Sequence, residues 1–527
     1  MGSIHVHSSA ASSNESNTFR FIVTNMVYHL SACAEHKSIS LVMLFARAPL
    51  RIPPFCQHSS CGMLNEDFSL RFSWSAQERT AKATTNAPGF CHQKGCMMDT
   101  AQQIVTQLAH GDFAAVEQRL ADLIKPLLPV EALRASWQGI EQQVGAFQEL
   151  GKTSVVQTPQ GLVQIVTCVF ERASLDVNVT LNDAGEIVAL TITPVGTVEQ
   201  QANATYEPPP YAHPERFHEQ EVQIGHGTWV LPGTVSIPQG NGPFSAVLLV
   251  HGSGPQDRDE TIPPNKPFRD LAWGLASQGI AVLRYEKRTK VYAASMRSER
   301  DILTVKEEVI DDALEAVALL RDRPEIDAQQ IFVLGHSLGG YLAPRIGAAD
   351  PQIRGLIILA GFARPFEDVI LDQMTYVLSL SVPDPVVRQQ QLAVLKQQVK
   401  LVKDPKRLPT AAASDLPLNV PAAYWLDLNA YHPEKVAQTL KQPMLFLLGE
   451  GDYQVTREDF QIWQDALGGR SDVQFIMYPG LSHLFMPIEG GQKATPATYT
   501  VAGHVAEEVV NEIGSWIKRL SNLPLPQ

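Results

Sequence analysis

The sequence predicts an α/β chain: a mainly parallel sheet flanked by helices, with a helical cap insertion and a small α+β domain in front. Three observations predict it. Short apolar runs alternate with helical patterns from Phe244 to the C-terminus, the rhythm of parallel strands joined by crossover helices. That rhythm is interrupted over about residues 362–435 by helical stretches and a Pro-rich, aromatic segment. Before it all, residues 98–198 read as helices followed by a meander of alternating strands, the order of a separate α+β unit.

The 527 residues allow two or three domains. Hydrophobic residues make up 44% and charged residues 18%, ordinary globular values, and the net charge is -13. An acidic chain without a dense basic run argues against nucleic acid or anionic membrane as a partner. Residues 1–96 differ from the rest. They are rich in Ser, Asn, His and Cys, carry 8 basic against 5 acidic residues, and lack sustained periodicity. We expect them to be a disordered or over-extended leader, with the natural start at Met97 or Met98. Cys56 with Cys61 and Cys91 with Cys96 have a spacing compatible with structural zinc, and His58 and His92 lie nearby. No strand or helix pattern surrounds them to hold a site, so no metal is expected. Ile39 to Phe45 is too short to span a bilayer and too far along for a secretory signal. We therefore expect a cytoplasmic protein.

The small domain opens with Ile104, Leu108, Phe113, Val116 and Leu120 near a 3.6-residue period, broken at Gly111-Asp112. A further helix is expected over Leu133 to Leu150, stopped by Gly151. Strands follow at Thr153 to Thr158, Leu162 to Phe170, Ala173 to Leu181 and Ile187 to Ile192. Residues 199–217, with Pro208, Pro209, Pro210 and Pro214, predict a stiff linker.

The larger domain covers about residues 219–522. A hairpin is expected around Gly225-His226-Gly227, then strands at Phe244 to Val250 and Ile280 to Tyr285 with a helix between, over Phe268 to Ser277. A long helix over Ile302 to Leu320 precedes a strand at Ile331 to Leu334. The next strand is Ile353 to Ala360. The cap helices are placed at Phe366 to Leu380 and Pro385 to Val402. An insertion at this point lies over the strand ends, so Tyr376, Tyr424 and Trp425 are candidate substrate contacts. Met444 to Leu448 and Val473 to Tyr478 are the last strands, with a helix at Arg457 to Leu467 between them. A mobile loop at Gly490 to Thr500 and a helix at Val501 to Leu520 end the chain.

The chemistry sits on the strand ends. Gly335-His336-Ser337-Leu338-Gly339 spells G-x-S-x-G between a strand and a helix, the setting of a nucleophile elbow. A serine hydroxyl needs a base, and that base an orienting carboxylate. Asp452 and His483 each follow a predicted strand, in the order serine, acid, histidine. Glu450 is the rival acid; the Gly449-x-x-Asp452 spacing favours Asp452. His336 should point away from the nucleophile, and His504 should pack or face solvent. His251-Gly252-Ser253-Gly254 also follows a strand, so the N–H groups of Ser253 and Leu338 are the candidate oxyanion donors.

These motifs resemble the α/β-hydrolase superfamily over residues 219–520. More narrowly, His251 to Glu260, Asn265 to Phe268 and Leu283 to Arg288 resemble bacterial carboxylesterases that carry a small N-terminal domain of unknown function. The resemblance implies hydrolysis of small, short-acyl carboxylic esters through a serine acyl-enzyme, with no cofactor. The same triad would serve a thioesterase, acyltransferase or peptidase, and a non-enzymatic binder on this fold would have no need of all three groups.

Overall fold

Alternating apolar residues in the first part of the chain build a four-stranded antiparallel meander: β1 (Phe147–Thr158), β2 (Gly161–Phe170), β3 (Ser174–Leu181) and β4 (Ile187–Pro194). Leu175, Val177 and Val179 of β3 point into one buried cluster with Ile104, Leu108 and Trp137 from helices Phe90–Ala109 and Val130–Val144. The computed structural model describes residues 90–121, 125, 128, 130–158, 161–181, 185–196, 198, 206–292, 296, 303–381 and 385–523, with side chains from Thr100 onward except at 131, 132, 135, 143, 157, 158, 161, 381, 386, 387, 390 and 419. Residues 1–89 of the proposed leader, with Cys56 and Cys61, fall outside the described residues; its last residues, 90–96, are helical and continuous with Phe90–Ala109, where no helix was expected, and the start at Met97 or Met98 stays an expectation.

The expected helix over Leu133 to Leu150 ends early. Gly145 takes φ 89°, and a Cβ there would lie 2.5 Å from Glu171 Cβ, so the chain turns and Phe147 begins β1 opposite Phe170.

A second buried cluster belongs to the larger sheet. Its strands are β5 (Phe217–Ile224), β6 (Leu231–Pro238), β7 (Phe244–Val250), β8 (Ala281–Tyr285), β9 (Ile326–His336), β10 (Gly355–Leu359), β11 (Met444–Gly449) and β12 (Val473–Tyr478). They lie in the order β12-β11-β10-β9-β7-β8-β6-β5. Only β6 among these eight runs against the others. Strands β7, β8, β10 and β11 are buried along their length apart from the first two residues of β7, which is why they read as unbroken apolar runs.

Register fixes the functional edge. Val250 pairs with Gly335, Leu359 with both His336 and Leu447, and Gly449 with Tyr478. The segments that follow β7, β9, β11 and β12 therefore leave the sheet side by side.

Between β10 and β11 the insertion is helical: Phe366–Ser381, Pro385–Val402, Ala422–Asn429 and Pro433–Thr439. It is tied to the helix Leu338–Ala349. Arg345 forms a two-pronged ion pair with Asp427 at 2.9 and 3.0 Å, and Tyr431 donates to the Tyr341 carbonyl at 2.9 Å.

Three further boundaries differ from expectation. The helix expected from Ile302 opens with a π-helical turn at Lys306–Ile310 and continues as Asp311–Arg321. The last helix is Glu507–Ser521, because the chain from Val501 to Val505 is not helical and bonds elsewhere: the Val501 carbonyl accepts from Asn265, and the Val505 N–H donates to Asp270. Gly490 to Thr500, expected to be mobile, is pinned. Ala494 N–H donates to Gly451 at 2.8 Å, Tyr376 donates to the Ala494 carbonyl at 2.9 Å, and Tyr499 is buried.

Candidate active site

Ser337 is built into a turn that only this sequence permits. Strand β9 ends at His336 and the helix starts at Leu338, leaving Ser337 at φ 53°, ψ -114°. A non-glycine residue at positive φ is strained, and such strain persists where the surroundings over-determine it. Here they do. A Cβ on Gly335 would lie 2.1 Å from the Gly339 carbonyl oxygen, and one on Gly339 2.3 Å from that of Val250. Between Ile331 and Pro344, Ser337 is the one residue that is not buried. Its N–H donates to Leu359, which fixes the turn to β10.

Asp452 and His483 meet. His483 Nδ1 lies 2.6 Å from Asp452 Oδ2, and both side chains are buried. The other carboxylate oxygen accepts from the N–H groups of Gln454 at 2.6 Å and Val455 at 3.1 Å, so the loop itself aims the carboxylate. Glu450 does something else: it pairs with Arg457 at the surface. With Nδ1 held by a carboxylate, the other ring nitrogen of His483 is left to take and return a proton.

His336 turns beneath the elbow. Its Nε2 is 3.0 Å from the His483 carbonyl oxygen, its ring centroid 4.6 Å from that of His483, and its Nδ1 2.9 Å from Glu260 Oε2. Burial disfavours the charged ring, but the Glu260 carboxylate outweighs it and holds the imidazole above its ordinary range. Glu260, also buried, is held below the usual carboxylate range despite that burial, because His336 faces it. His504 bonds to Asp270 at 3.1 Å, away from this group.

The loop after β7 brings Gly252 against the serine. A Cβ on Gly252 would lie 3.2 Å from Ser337 Cβ. Gly252 N–H donates to Glu260 Oε1 at 2.6 Å. Among the described residues, the N–H groups of Ser253 and Leu338 meet no acceptor. Both stand at the sheet edge beside Ser337, free to face an oxyanion. His251, next to them, is packed between Phe268 and Tyr285, and burial pulls its ring down to about 4.

The cap aromatics are a correction. Tyr424 and Trp425 are 3% and 0% exposed. Trp425 stacks on Phe366, and the Tyr424 hydroxyl donates to Glu308 Oε2 at 2.8 Å. They hold the cap together and do not offer a face to substrate. Tyr376 is half-buried, 4.9 Å from the Tyr453 ring and beneath Lys493. Glu260, Lys287 and Glu308 were missed by sequence reasoning. Lys287 donates to the Gly252 carbonyl at 2.9 Å and pairs with Glu308 at 2.7 Å. Glu260 and Lys287 lie in the runs that carried the family resemblance, which gave them no role, and Glu308 lies on the turn Lys306–Ile310. Among the described residues, no three His, Cys, Asp or Glu side chains are grouped to hold a metal, and no helix is long and apolar enough to cross a membrane.

Residues 243–489 match the family described as serine aminopeptidase, S33. Over 424 residues the chain is 37% identical to Esterase EstD of Thermotoga maritima, spanning 80% of this chain and 96% of that one. The chain belongs to the α/β-hydrolase superfamily. Residues 101–190 of this α/β hydrolase match a second family, a protein of unknown function, DUF3887, which covers the small domain. Among solved structures it is similar to an esterase of Pyrococcus furiosus (16% identity, 60% of this chain and 99% of that one, TM-score 0.37). It is similar also to Est1E of Butyrivibrio proteoclasticus (13% identity, 57% and 99%, TM-score 0.37).

Proposed function

We propose that this α/β hydrolase is a serine esterase that cleaves short-acyl carboxylic esters through an acyl-enzyme. Ser337 attacks the ester carbonyl carbon as His483 takes its hydroxyl proton. Asp452 orients His483 and stabilises the imidazolium. The N–H groups of Ser253 and Leu338 receive the developing oxyanion. Collapse expels the alcohol, which leaves with the proton from His483; water then attacks the acyl-enzyme by the same steps in reverse. The observation that carries this reading is the buried 2.6 Å contact of His483 with Asp452 at the same sheet edge as the half-buried, strained Ser337. The similarity to Esterase EstD supports the ester as substrate.

A series of p-nitrophenyl esters from acetate to dodecanoate tests the substrate class. Higher kcat/KM on acetyl and butyryl than on dodecanoyl esters is expected; the opposite order contradicts the short-acyl assignment. The match to the aminopeptidase family favours one second reading, hydrolysis of aminoacyl amides by the same triad. Turnover of aminoacyl p-nitroanilides faster than of the esters would make that the better reading.

A further inference from the structure

The Gly252–Ser253 peptide is gripped by buried charge. Its carbonyl oxygen accepts from Lys287 Nζ at 2.9 Å, and the Lys287 side chain is 3% exposed. The same ammonium pairs with Glu308 Oε1 at 2.7 Å, while Glu308 Oε2 accepts from the Tyr424 hydroxyl at 2.8 Å. Tyr424 stands on the cap helix Ala422–Asn429, and Glu308 on the π-helical turn that breaks the start of its helix. Such turns recur where a side chain must be re-aimed at a functional site.

An ammonium is strongly hydrated, and burying one costs several kcal/mol unless partners replace its water. Packing alone would be served better by an apolar side chain. This ammonium instead reaches one backbone carbonyl. In a planar trans peptide the carbonyl and the next N–H point in opposite directions. A cation on the Gly252 oxygen therefore fixes the plane that aims the Ser253 N–H and draws electron density away from it. We propose that Lys287 is a positioning residue that sets and polarises the Ser253 oxyanion donor, and that the Glu308–Tyr424 link makes this setting depend on the seated cap. The proposal rests on the reading of the Ser253 N–H as an oxyanion donor. A more acidic donor gains most against the full negative charge of the tetrahedral intermediate and little against a neutral carbonyl. The effect belongs in kcat, not in KM.

The test uses the full chain and its Lys287→Met, Tyr424→Phe and Ser337→Ala variants. It measures kcat and KM on p-nitrophenyl butyrate, affinity for an alkyl boronic acid, and melting temperature. Lys287→Met should lose about 10- to 100-fold in kcat with KM within about threefold, and boronate affinity should fall in parallel. Tyr424→Phe leaves the Lys287–Glu308 pair in place. It should melt within a few degrees of the parent and still lose about two- to fivefold in kcat and in boronate affinity. Parental kcat in folded Lys287→Met overturns the proposal, and parental kcat in Tyr424→Phe overturns the coupling to the cap. Should Lys287→Met not fold, Lys287→Gln, which also removes the charge, takes its place, and parental kcat and boronate affinity in it overturn the proposal. Activity surviving in Ser337→Ala would instead overturn the esterase reading beneath it.

Discussion

Asp452 is the acid of the proposed triad, and its surroundings set it apart from Glu450. Glu450 is two residues closer to the strand, yet it faces solvent and Arg457, while two backbone N–H groups and His483 enclose Asp452. Asp452→Asn keeps the volume and removes the charge that stabilises the imidazolium. A fall of about 10³ to 10⁴ in kcat is expected, whereas Glu450→Gln should stay within about twofold of the parent; steady-state kinetics on one ester checks both. His251 makes a prediction about stability. Its folded value of about 4 lies below the ordinary 6.5, so the folded state resists its protonation. The stability this confers is complete above pH 6.5 and is lost as the pH falls from there through about 4. The change amounts to about 3 kcal/mol. Melting temperature against pH should show a shallower acid limb in His251→Leu than in the parent. The positions of the proposed triad were legible, because Ser337, Asp452 and His483 each follow a strand, in a fixed order. Lys287 was not, because the run Leu283 to Arg288 carried a family resemblance that assigned it no role, and burial of a charge leaves no mark in sequence. Tyr424 and Trp425 misled for a related reason. An aromatic pair in an insertion suits a binding surface and a cap core equally well.

At the scale of elements, the elbow is the tightest constraint. Gly335→Ala would place a methyl group 2.1 Å from the Gly339 carbonyl, backbone against backbone, with nothing free to move aside. A loss of more than about 3 kcal/mol in stability is expected, visible as a lower denaturation midpoint; a parental midpoint would show that the turn can open. Elements with a strong period were read to within a residue: Phe244–Val250, Pro385–Val402, Arg457–Leu467 and Val473–Tyr478. Errors gathered where tertiary bonds override local preference. Asn265 and Asp270 capture the chain from Tyr499 to Val505 and delay the last helix to Glu507. Glycines at 490 and 491 suggested mobility, but Tyr376 and Gly451 hold the segment that follows them.

Over the whole molecule, strand register brings distant sequence to one sheet edge. Because Val250, Gly335, Leu359, Leu447, Gly449 and Tyr478 are linked through the pairings of five parallel strands, the segments after them are neighbours whatever lies between. The insertion of residues 362–435 interrupts the chain without disturbing this order, since it leaves β10 and returns to β11, its neighbour in the sheet. The two buried clusters are separate, as the change from meander to parallel rhythm predicted. In the proposed mechanism all of this framework serves one hydroxyl, that of Ser337. Mass spectrometry of the protein after treatment with a fluorophosphonate tests it most directly. A single adduct on the peptide bearing Ser337 is expected, formed in step with loss of ester hydrolysis and absent from Ser337→Ala. An unmodified Ser337 in fully inhibited protein, or full ester hydrolysis by Ser337→Ala, would contradict it.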